Sequence, residues 1–468
     1  MRGLVLAAGL GSRFKSEKPK VLHEILGKPM LWYVINNLRN GGVTEIGVVV
    51  SHKAEEVKKA FEHEGLRFFY QKNPKGGTAD AVLAAKDFFA SYEGYLVVLN
   101  GDSPLVSGET IKNMLNYVTM VERYEGKRVS ALVLSAYLPD PTGYGRIIRE
   151  EGSDRVLKIV EEKDATPEER AVSEVNAGAY VFWAPHLLEA LFQIKPSPVT
   201  GELYLTDAVN YMAEKGYEVR LFRAKEPSEA LGVNTRWELA VAESLIKLKL
   251  VRFWAERGVT FHLPETVWLE PEVSFEPDAE VFPGAVLKGK TKVKKGARIG
   301  EGALLVDATV EEGARVEPYS VVERSVVKKG AVVGPFARVR DGSTVGEGAH
   351  VGNFVEVKKS SVGPGVRAKH LAYIGDATLG KGVNVGAGVV FANYDGRQKH
   401  PTTVGDYAFI GSNALLVAPL KLGRYAFVAG GSVVTKDLPD YAFAIARPPL
   451  EVKEGLARKF LDIKEDES

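Results

Sequence analysis

Two rhythms of apolar residues divide the chain. In the first half, apolar runs at 3–8, 46–50, 95–99 and 129–135 read as buried strands, and the stretches 30–40, 57–63 and 111–121 between them are amphipathic. This β-α-β alternation predicts a Rossmann-like α/β domain with a mainly parallel sheet over residues 1–236, whose ligands bind beyond the carboxyl ends of the strands. Residues 237–257 then read as one continuous helix, a linker arm, with Val241, Leu245, Leu248, Val251 and Ala255 on its apolar side and Gly258 as its stop.

From residue 258 the period becomes six. Leu269, Phe275, Val281, Leu287, Val293, Ile299 and Leu305 follow one another without a break. In a chain that is 45% hydrophobic, seven such hits arise by chance roughly a few times in a thousand, so the repeat is real. The series resumes at Val310, Val327, Val362 and Leu379 after steps of five, and at Val404 after a gap that reads as a loop thrown out of the coil. Six fits neither a helix nor an alternating strand. It suits a solenoid over 258–468 in which each short strand contributes one inward apolar residue and the next residues turn a corner, relieved by glycines as in Val345-Gly346. The acidic tail from Asp462 is expected to be disordered.

Composition narrows what such a chain does. With 61 basic and 60 acidic residues spread over 468 positions the net charge is +1, which leaves no electrostatic footprint for nucleic acid or an anionic membrane. Small molecules are the expected partners. The absence of cysteine excludes disulfides, thiolate zinc sites and a thioester on the enzyme, and with no Gly-x-Ser-x-Gly in the sequence either, any acyl transfer must be direct. No stretch reaches the ~20 apolar residues of a membrane span, and a cytoplasmic protein without membrane insertion is expected.

The first strand runs into Leu6-Ala7-Ala8-Gly9-Leu10-Gly11-Ser12-Arg13, with Pro19-Lys20-Val21-Leu22 close behind. A glycine-rich turn lets backbone N–H groups approach phosphate, and Arg13 and Lys20 supply mobile positive charge. The spacing is neither a dinucleotide fingerprint nor a Walker loop. A letter-for-letter Walker match does occur at 284–291, but Leu287 and Val293 are inward positions of the six-residue repeat there, so the strand-to-helix turn that motif needs is missing. On residue type alone, Asp102 beyond an apolar strand reads as a turn former or helix cap, and Asn234 as the cap of the helix beginning near Trp237.

Together with Gln71, Gly77-Thr78, Gly101-Asp102, Thr142-Gly143-Tyr144-Gly145-Arg146, Glu161, Asn176 and Gly232-Val233-Asn234, this segment resembles the sugar-phosphate nucleotidyltransferases. In detail it is similar to the N-acetylglucosamine-1-phosphate uridyltransferase half of a bacterial bifunctional enzyme family. The resemblance implies that Leu6, Ala7, Ala8, Gly9, Gln71, Gly77 and Thr78 hold the uridine nucleotide of UTP and that Gly145, Glu161 and Asn176 hold the sugar. It also implies catalytic roles for Arg13 and Lys20, substrate contacts at Asn100 and Gly101, and Mg²⁺ held by Asp102 and Asn234. Two departures stand out: Asn100 replaces the usual Tyr before Gly-Asp, and the loop Lys75-Gly76-Gly77-Thr78 is one residue longer.

The repeat region carries polar groups that a coil core does not require: Arg340, Lys358, His370, Tyr373, Asn384, Asn393-Tyr394 and Lys399. An amine must lose its proton before it attacks a thioester, and His370 is suited to take it as general base. The surrounding segments 338–340, 350–359, 369–376, 384–388 and 393–396 resemble the glucosamine-1-phosphate acetyltransferase half of the same family, a left-handed parallel β-helix of hexapeptide repeats. That handedness is what the resemblance implies; the usual crossover rule gives the opposite hand. The resemblance further implies Arg340 and Lys358 on the sugar phosphate, Tyr373, Asn384 and Lys399 around the sugar, and Ala387, Asn393, Tyr394, Ser412, Gly430 and Arg447 on acetyl-CoA. A homotrimer with sites between neighbouring coils, and a product feeding peptidoglycan and lipopolysaccharide precursors, belong to the same expectation. The alternative is a single-activity sugar-1-phosphate nucleotidyltransferase whose β-helix is structural or regulatory, and His370 with Lys358 and Arg340 speaks against it.

Overall fold

The computed structural model describes residues 1–461, so the acidic tail from Asp462 lies outside the described residues. The chain forms two compact units, Met1–Ile246 and Lys247 onward, and the division falls inside the helix Arg236–Ala255.

In the first unit, strands Arg2–Leu6, Glu45–Val50, Arg67–Tyr70 and Tyr95–Asn100 pair in parallel, with Arg2–Leu6 between Glu45–Val50 and Tyr95–Asn100. Glu174–Trp183 enters antiparallel between Tyr95–Asn100 and Val129–Tyr137, and Glu218–Arg223 closes the edge parallel to the latter. Alternate residues of the central strands face opposite ways: Val5, Val97 and Leu99 join one apolar cluster, Leu4, Leu96 and Val98 the other. Helices Met30–Asn40 and Gly108–Glu125 cover the first face, and Thr78–Ala84, Ala184–Leu191 and Leu205–Glu214 cover the second. With both faces sealed, the carboxyl edge is where polar side chains can meet a ligand. The helix expected over 57–63 forms at Ala54–Ala60, where Glu55 and Glu56 in the first turn and Lys58 and Lys59 in the last complement its dipole.

Helix Arg236–Ala255 buries Ala242, Ile246 and Val251, whereas Leu248, expected on the apolar side, is exposed. Apolar residues are distributed all round this helix, so spacing alone selects no face.

In the second unit, strands of mostly two or three residues stack in parallel on the coil below, Glu280–Val281 on Arg298–Ile299 on Arg315–Val316. Every apolar position of the six-residue series is buried in one continuous core. The residue two positions earlier is often buried as well, as at Ala279, Ala285, Ala297 and Ala303, because side chains two apart share a strand face. Each such segment therefore supplies two inward positions, a large one on the strand and a small one just before it, where one was expected. Ser325, Ser343 and Ser360 take small positions, and their hydroxyls accept the N–H of Ser343, Ser360 and Ala377 in the next coil at 3.2, 3.1 and 3.0 Å. The stacked parallel strands form a β-helix, consistent with the left-handed kind. Gly346 serves close approach between coils, since a Cβ there would lie 2.6 Å from the Val362 carbonyl oxygen. The Walker-like stretch is ordinary coil, with Val286–Lys288 as a strand.

Candidate active sites

Two cavities of about 270 Å³ each open side by side in the first unit and share Thr78, Asn100, Asp102 and Glu202 as walls. Leu6, Ala7, Ala8, Gly9, Lys20, Gln71 and Gly77 line the first; Gly145, Glu161, Asn176 and Asn234 line the second. Strand register accounts for this convergence. Leu6 pairs with Asn100, and the Gly101 N–H donates to the Leu6 carbonyl at 2.9 Å, so the glycine-rich turn and Asn100-Gly101-Asp102 leave the sheet at one level. The Asn100 carboxamide reaches toward Gly178, where a Cβ would come within 2.5 Å of its Nδ2. Arg13 is exposed in the turn Ser12–Phe14 and lines neither cavity.

Where the cavities meet, Lys20 Nζ donates to Asp102 Oδ2 at 2.5 Å and to Asn234 Oδ1 at 3.1 Å. The two side chains are free to do this because other residues cap the helices. Ser107 Oγ accepts from Thr110 N–H at 3.1 Å, and Thr235 Oγ1 accepts from Glu238 N–H at 3.2 Å. Glu238 closes the capping box on Thr235 N–H and also takes the Asn234 N–H, at 2.9 and 2.6 Å. One carboxylate and one amide oxygen facing a single cation are a donor set suited to a hard divalent ion that keeps waters.

In the second cavity, Thr206 Oγ1 donates to Glu161 Oε1 at 2.8 Å, and burial pushes the Glu161 carboxyl above its ordinary value. Asn176 N–H donates to the Gly145 carbonyl at 2.9 Å and its Nδ2 to Tyr180 Oη at 2.6 Å. Glu202, Thr206 and Asp80, which hold or border these groups, carried no signal in the sequence beyond their polarity.

In the β-helix, Arg340, Lys358 and Gly375 stack in register on successive coils, each directly before a corner in the left-handed region: Asp341 (φ 58°), Lys359 (φ 45°) and Asp376 (φ 50°). Ser343 Oγ and Ser360 Oγ hold the carbonyls of Arg340 and Lys358 from inside, at 2.7 and 2.8 Å. Glu356 accepts from Arg340 Nε at 2.8 Å, and Asp376 accepts from Asn393 Nδ2 at 2.6 Å and lies 3.6 Å from Lys358 Nζ. Asn393 also donates to Tyr373 Oη at 3.2 Å, which sets it in the cationic cluster. Lys399, set against the positive charge of Lys358, holds its proton less tightly than an ordinary lysine. Tyr394 is exposed and bridges to Lys399. Glu356 and Asp376 were not singled out from the sequence, although both stand inside the matching segments.

His370 occupies another edge. It is exposed, pairs in register with Asn353, and its Nδ1 lies 3.2 Å from Asn353 Oδ1. The corner at Leu371 separates it from Tyr373, and among the described residues no hydrogen bond joins it to the cations. Coil-to-coil bonds from Gly388 N–H to Leu371 O, Asn413 N–H to Ala387 O and Gly431 N–H to Ser412 O bring His370, Ala387, Ser412 and Gly430 to successive levels of one edge. Arg447 Cδ ends 3.6 Å from where a Cβ of Gly431 would stand. Asn384 pairs in register with Arg367 and Phe409 on a separate strand.

Comparison with known proteins agrees with both halves. Residues 3–195 match the MobA-like NTP transferase domain, and residues 269–373 match the GMPPB C-terminal domain. The bifunctional protein GlmU of Aquifex aeolicus is 67% identical over 461 residues, covering 98% of this chain and 99% of that protein. Its counterparts in a Hydrogenobaculum species and in Thermus thermophilus are 54% and 46% identical, again over 98% of this chain and 99% and 98% of theirs. At such identity over nearly its whole length, this chain belongs to the GlmU family of bifunctional proteins.

Proposed function

We propose that the chain makes UDP-N-acetylglucosamine in two steps at two centres. As a member of the GlmU family it is an acetyltransferase and a uridyltransferase. Acetyl-CoA first acetylates glucosamine 1-phosphate in the β-helix, and the product then reacts with UTP at the sheet edge, releasing pyrophosphate. The observation that carries this reading is the convergence of Lys20, Asp102 and Asn234 where two cavities join.

At the first centre, Leu6, Ala7, Ala8 and Gly9 hold the nucleotide with its base against Gln71, Gly77 and Thr78. The sugar lies in the adjoining cavity with Gly145, Glu161 and Asn176. A phosphate oxygen of the sugar, already ionised, forms a bond to the α-phosphorus as the bond to pyrophosphate breaks, so positioning and charge neutralisation suffice. Lys20, with Arg13 moving in from the turn, meets the charge on the leaving group. Asp102 and Asn234 are suited to hold Mg²⁺, for which the Lys20 ammonium is a stand-in here. When bound, the ion supplies Lewis-acid neutralisation of phosphate charge.

At the second centre, Arg340 and Lys358 hold the sugar phosphate, and Tyr373, Asn384 and Lys399 surround the sugar. His370 takes a proton from the amine as nitrogen bonds to the acetyl carbon; the carbon–sulfur bond breaks and the His370 imidazolium returns the proton to sulfur, so CoA leaves as its thiol. The edge through Ala387, Ser412, Gly430 and Arg447 is read as the CoA track, joined by Asn393 and Tyr394, with the Ala387 N–H aimed at the developing oxyanion. A homotrimer completes this site in trans. The exposed, stacked rings of Tyr319, Phe336 and Phe354 support that assembly, with exposed Leu371 beside His370. Residues 1–236 are assigned to uridylyl transfer, 237–257 to the arm and 258–468 to acetyl transfer. Among the described residues no helix is long and apolar enough to cross a membrane, and the location proposed is the cytoplasm, where both co-substrates are made.

The test is to follow pyrophosphate release and CoA release separately, with Mg²⁺ and after chelation. Chelation should abolish the first and spare the second; loss of both, or of neither, overturns the assignment.

A further inference from the structure

We propose that Asp80 is a positioning residue that sets which nucleobase the first cavity accepts, by locking the carboxamide of Gln71 in one orientation. This rests on the reading above that Gln71 meets the base. Gln71 is buried and lines the cavity. Its Nε2 donates to Asp80 Oδ2 at 2.8 Å and to the Gly77 carbonyl oxygen at 3.2 Å. A carboxamide has two N–H donors, and here both are taken by acceptors with no hydrogen to give in return. Turning the amide over would set Oε1 against two oxygens. Oε1 is therefore the atom left for a ligand, and it can only accept.

Uracil offers a ring N–H on its Watson–Crick edge, whereas cytosine offers a lone pair at the same ring nitrogen. An amide oxygen held in place accepts from the first and repels the second; a freely turning amide would serve either. Asp80 lies in the first turn of helix Thr78–Ala84 and lines neither cavity, so it acts through Gln71.

Gly76 provides the room. A Cβ there would lie 2.2 Å from Asp80 Oδ2 and 2.6 Å from its Cγ, so a side chain at 76 would displace the carboxylate from Gln71. Gly76 belongs to the loop that is one residue longer than the family resemblance leads one to expect.

The experiment is kcat/KM for pyrophosphate release with UTP and with CTP, at fixed N-acetylglucosamine 1-phosphate and Mg²⁺. It uses the full chain and Asp80→Ala, Asp80→Asn, Gly76→Ala and Gln71→Ala. The UTP-over-CTP ratio should fall about tenfold in Asp80→Ala and in Gly76→Ala, the size expected when one buried polar orientation is lost. It should stay near the parent value in Asp80→Asn, whose Oδ1 can still accept from Gln71. A role in helix stability alone would lower both substrates together and leave the ratio unmoved. An unchanged ratio in Asp80→Ala and Gly76→Ala, with a lowered one in Gln71→Ala, overturns the proposal and keeps the base site. An unchanged ratio in Gln71→Ala overturns the base site as well.

Discussion

The Asp102 carbonyl accepts the N–H of Val233 at 2.9 Å, and this one bond aligns Asp102 with Asn234 so that both side chains reach the Lys20 ammonium. Two segments far apart in the chain thereby present a carboxylate and a carboxamide to one point, relieved of capping duty by Ser107 and Thr235.

Asp102→Ala should lower uridylyl transfer at least about a hundredfold, the several kcal/mol that charge neutralisation at phosphate supplies. Asn234→Ala should raise the Mg²⁺ concentration for half-maximal rate about tenfold. Acetyl transfer should be unaffected in both. Pyrophosphate release followed along a Mg²⁺ titration checks the pair, and equal Mg²⁺ dependence in Asn234→Ala would remove it from the ion's shell.

Burial holds the Glu161 carboxyl above its ordinary value, so the folded chain binds that proton more tightly than the unfolded chain. The stability this contributes is present below the unfolded value and lost as pH rises through the folded one, so a carboxyl at 161 costs stability at neutral pH relative to an uncharged side chain. Glu161→Gln keeps an acceptor for Thr206 and should melt higher than the parent at neutral pH, the gap closing in acid. Its kcat/KM for N-acetylglucosamine 1-phosphate should fall about tenfold or more. Calorimetry across pH decides the first point; identical melting at neutral pH would contradict it.

Much of this architecture is legible without coordinates because two periods report two different cores. The β-α-β alternation placed the strands that end at Leu6 and Asn100, and the six-residue series named residues that all enter the β-helix core. Strand direction was less legible. Glu174–Trp183 is buried on both faces like its parallel neighbours, and nothing in its composition shows that it runs the other way. Partners such as Asp376, on a corner, and Glu356, on a strand, were invisible for a further reason: a lone carboxylate looks solvated until stacking sets it beside Lys358 or Arg340. The position of His370, on another edge from those cations, depends on the corner at Leu371, which residue type does not announce.

Gly352 lies one coil below the residue that precedes His370. A Cβ at 352 would fall 2.0 Å from the Lys369 carbonyl oxygen and 2.7 Å from its Cα, so Gly352→Ala must push these coils apart. We expect a destabilisation of about 1–3 kcal/mol and acetyl transfer at least about tenfold slower, with uridylyl transfer unchanged. Normal acetyl transfer in a folded Gly352→Ala protein would show that the height of His370 is not critical.

The rings of Phe336 and Phe354 stack 5.8 Å apart, and both are exposed. If they face a neighbouring subunit, Phe336→Asp with Phe354→Asp should convert trimer to monomer in sedimentation. Acetyl transfer should fall with the trimer while uridylyl transfer persists. A trimer that survives both substitutions would place the interface elsewhere.

The most direct measurement supplies glucosamine 1-phosphate, acetyl-CoA, UTP and Mg²⁺ together and identifies every product for the parent and for His370→Ala. The parent should yield UDP-N-acetylglucosamine, CoA and pyrophosphate. The variant should stall about 100- to 10,000-fold at acetylation, and added N-acetylglucosamine 1-phosphate should restore nucleotide-sugar formation in full. Equal acetylation by both proteins, or no restoration, would contradict an account in which one imidazole and one cation-bearing sheet edge perform two separate reactions.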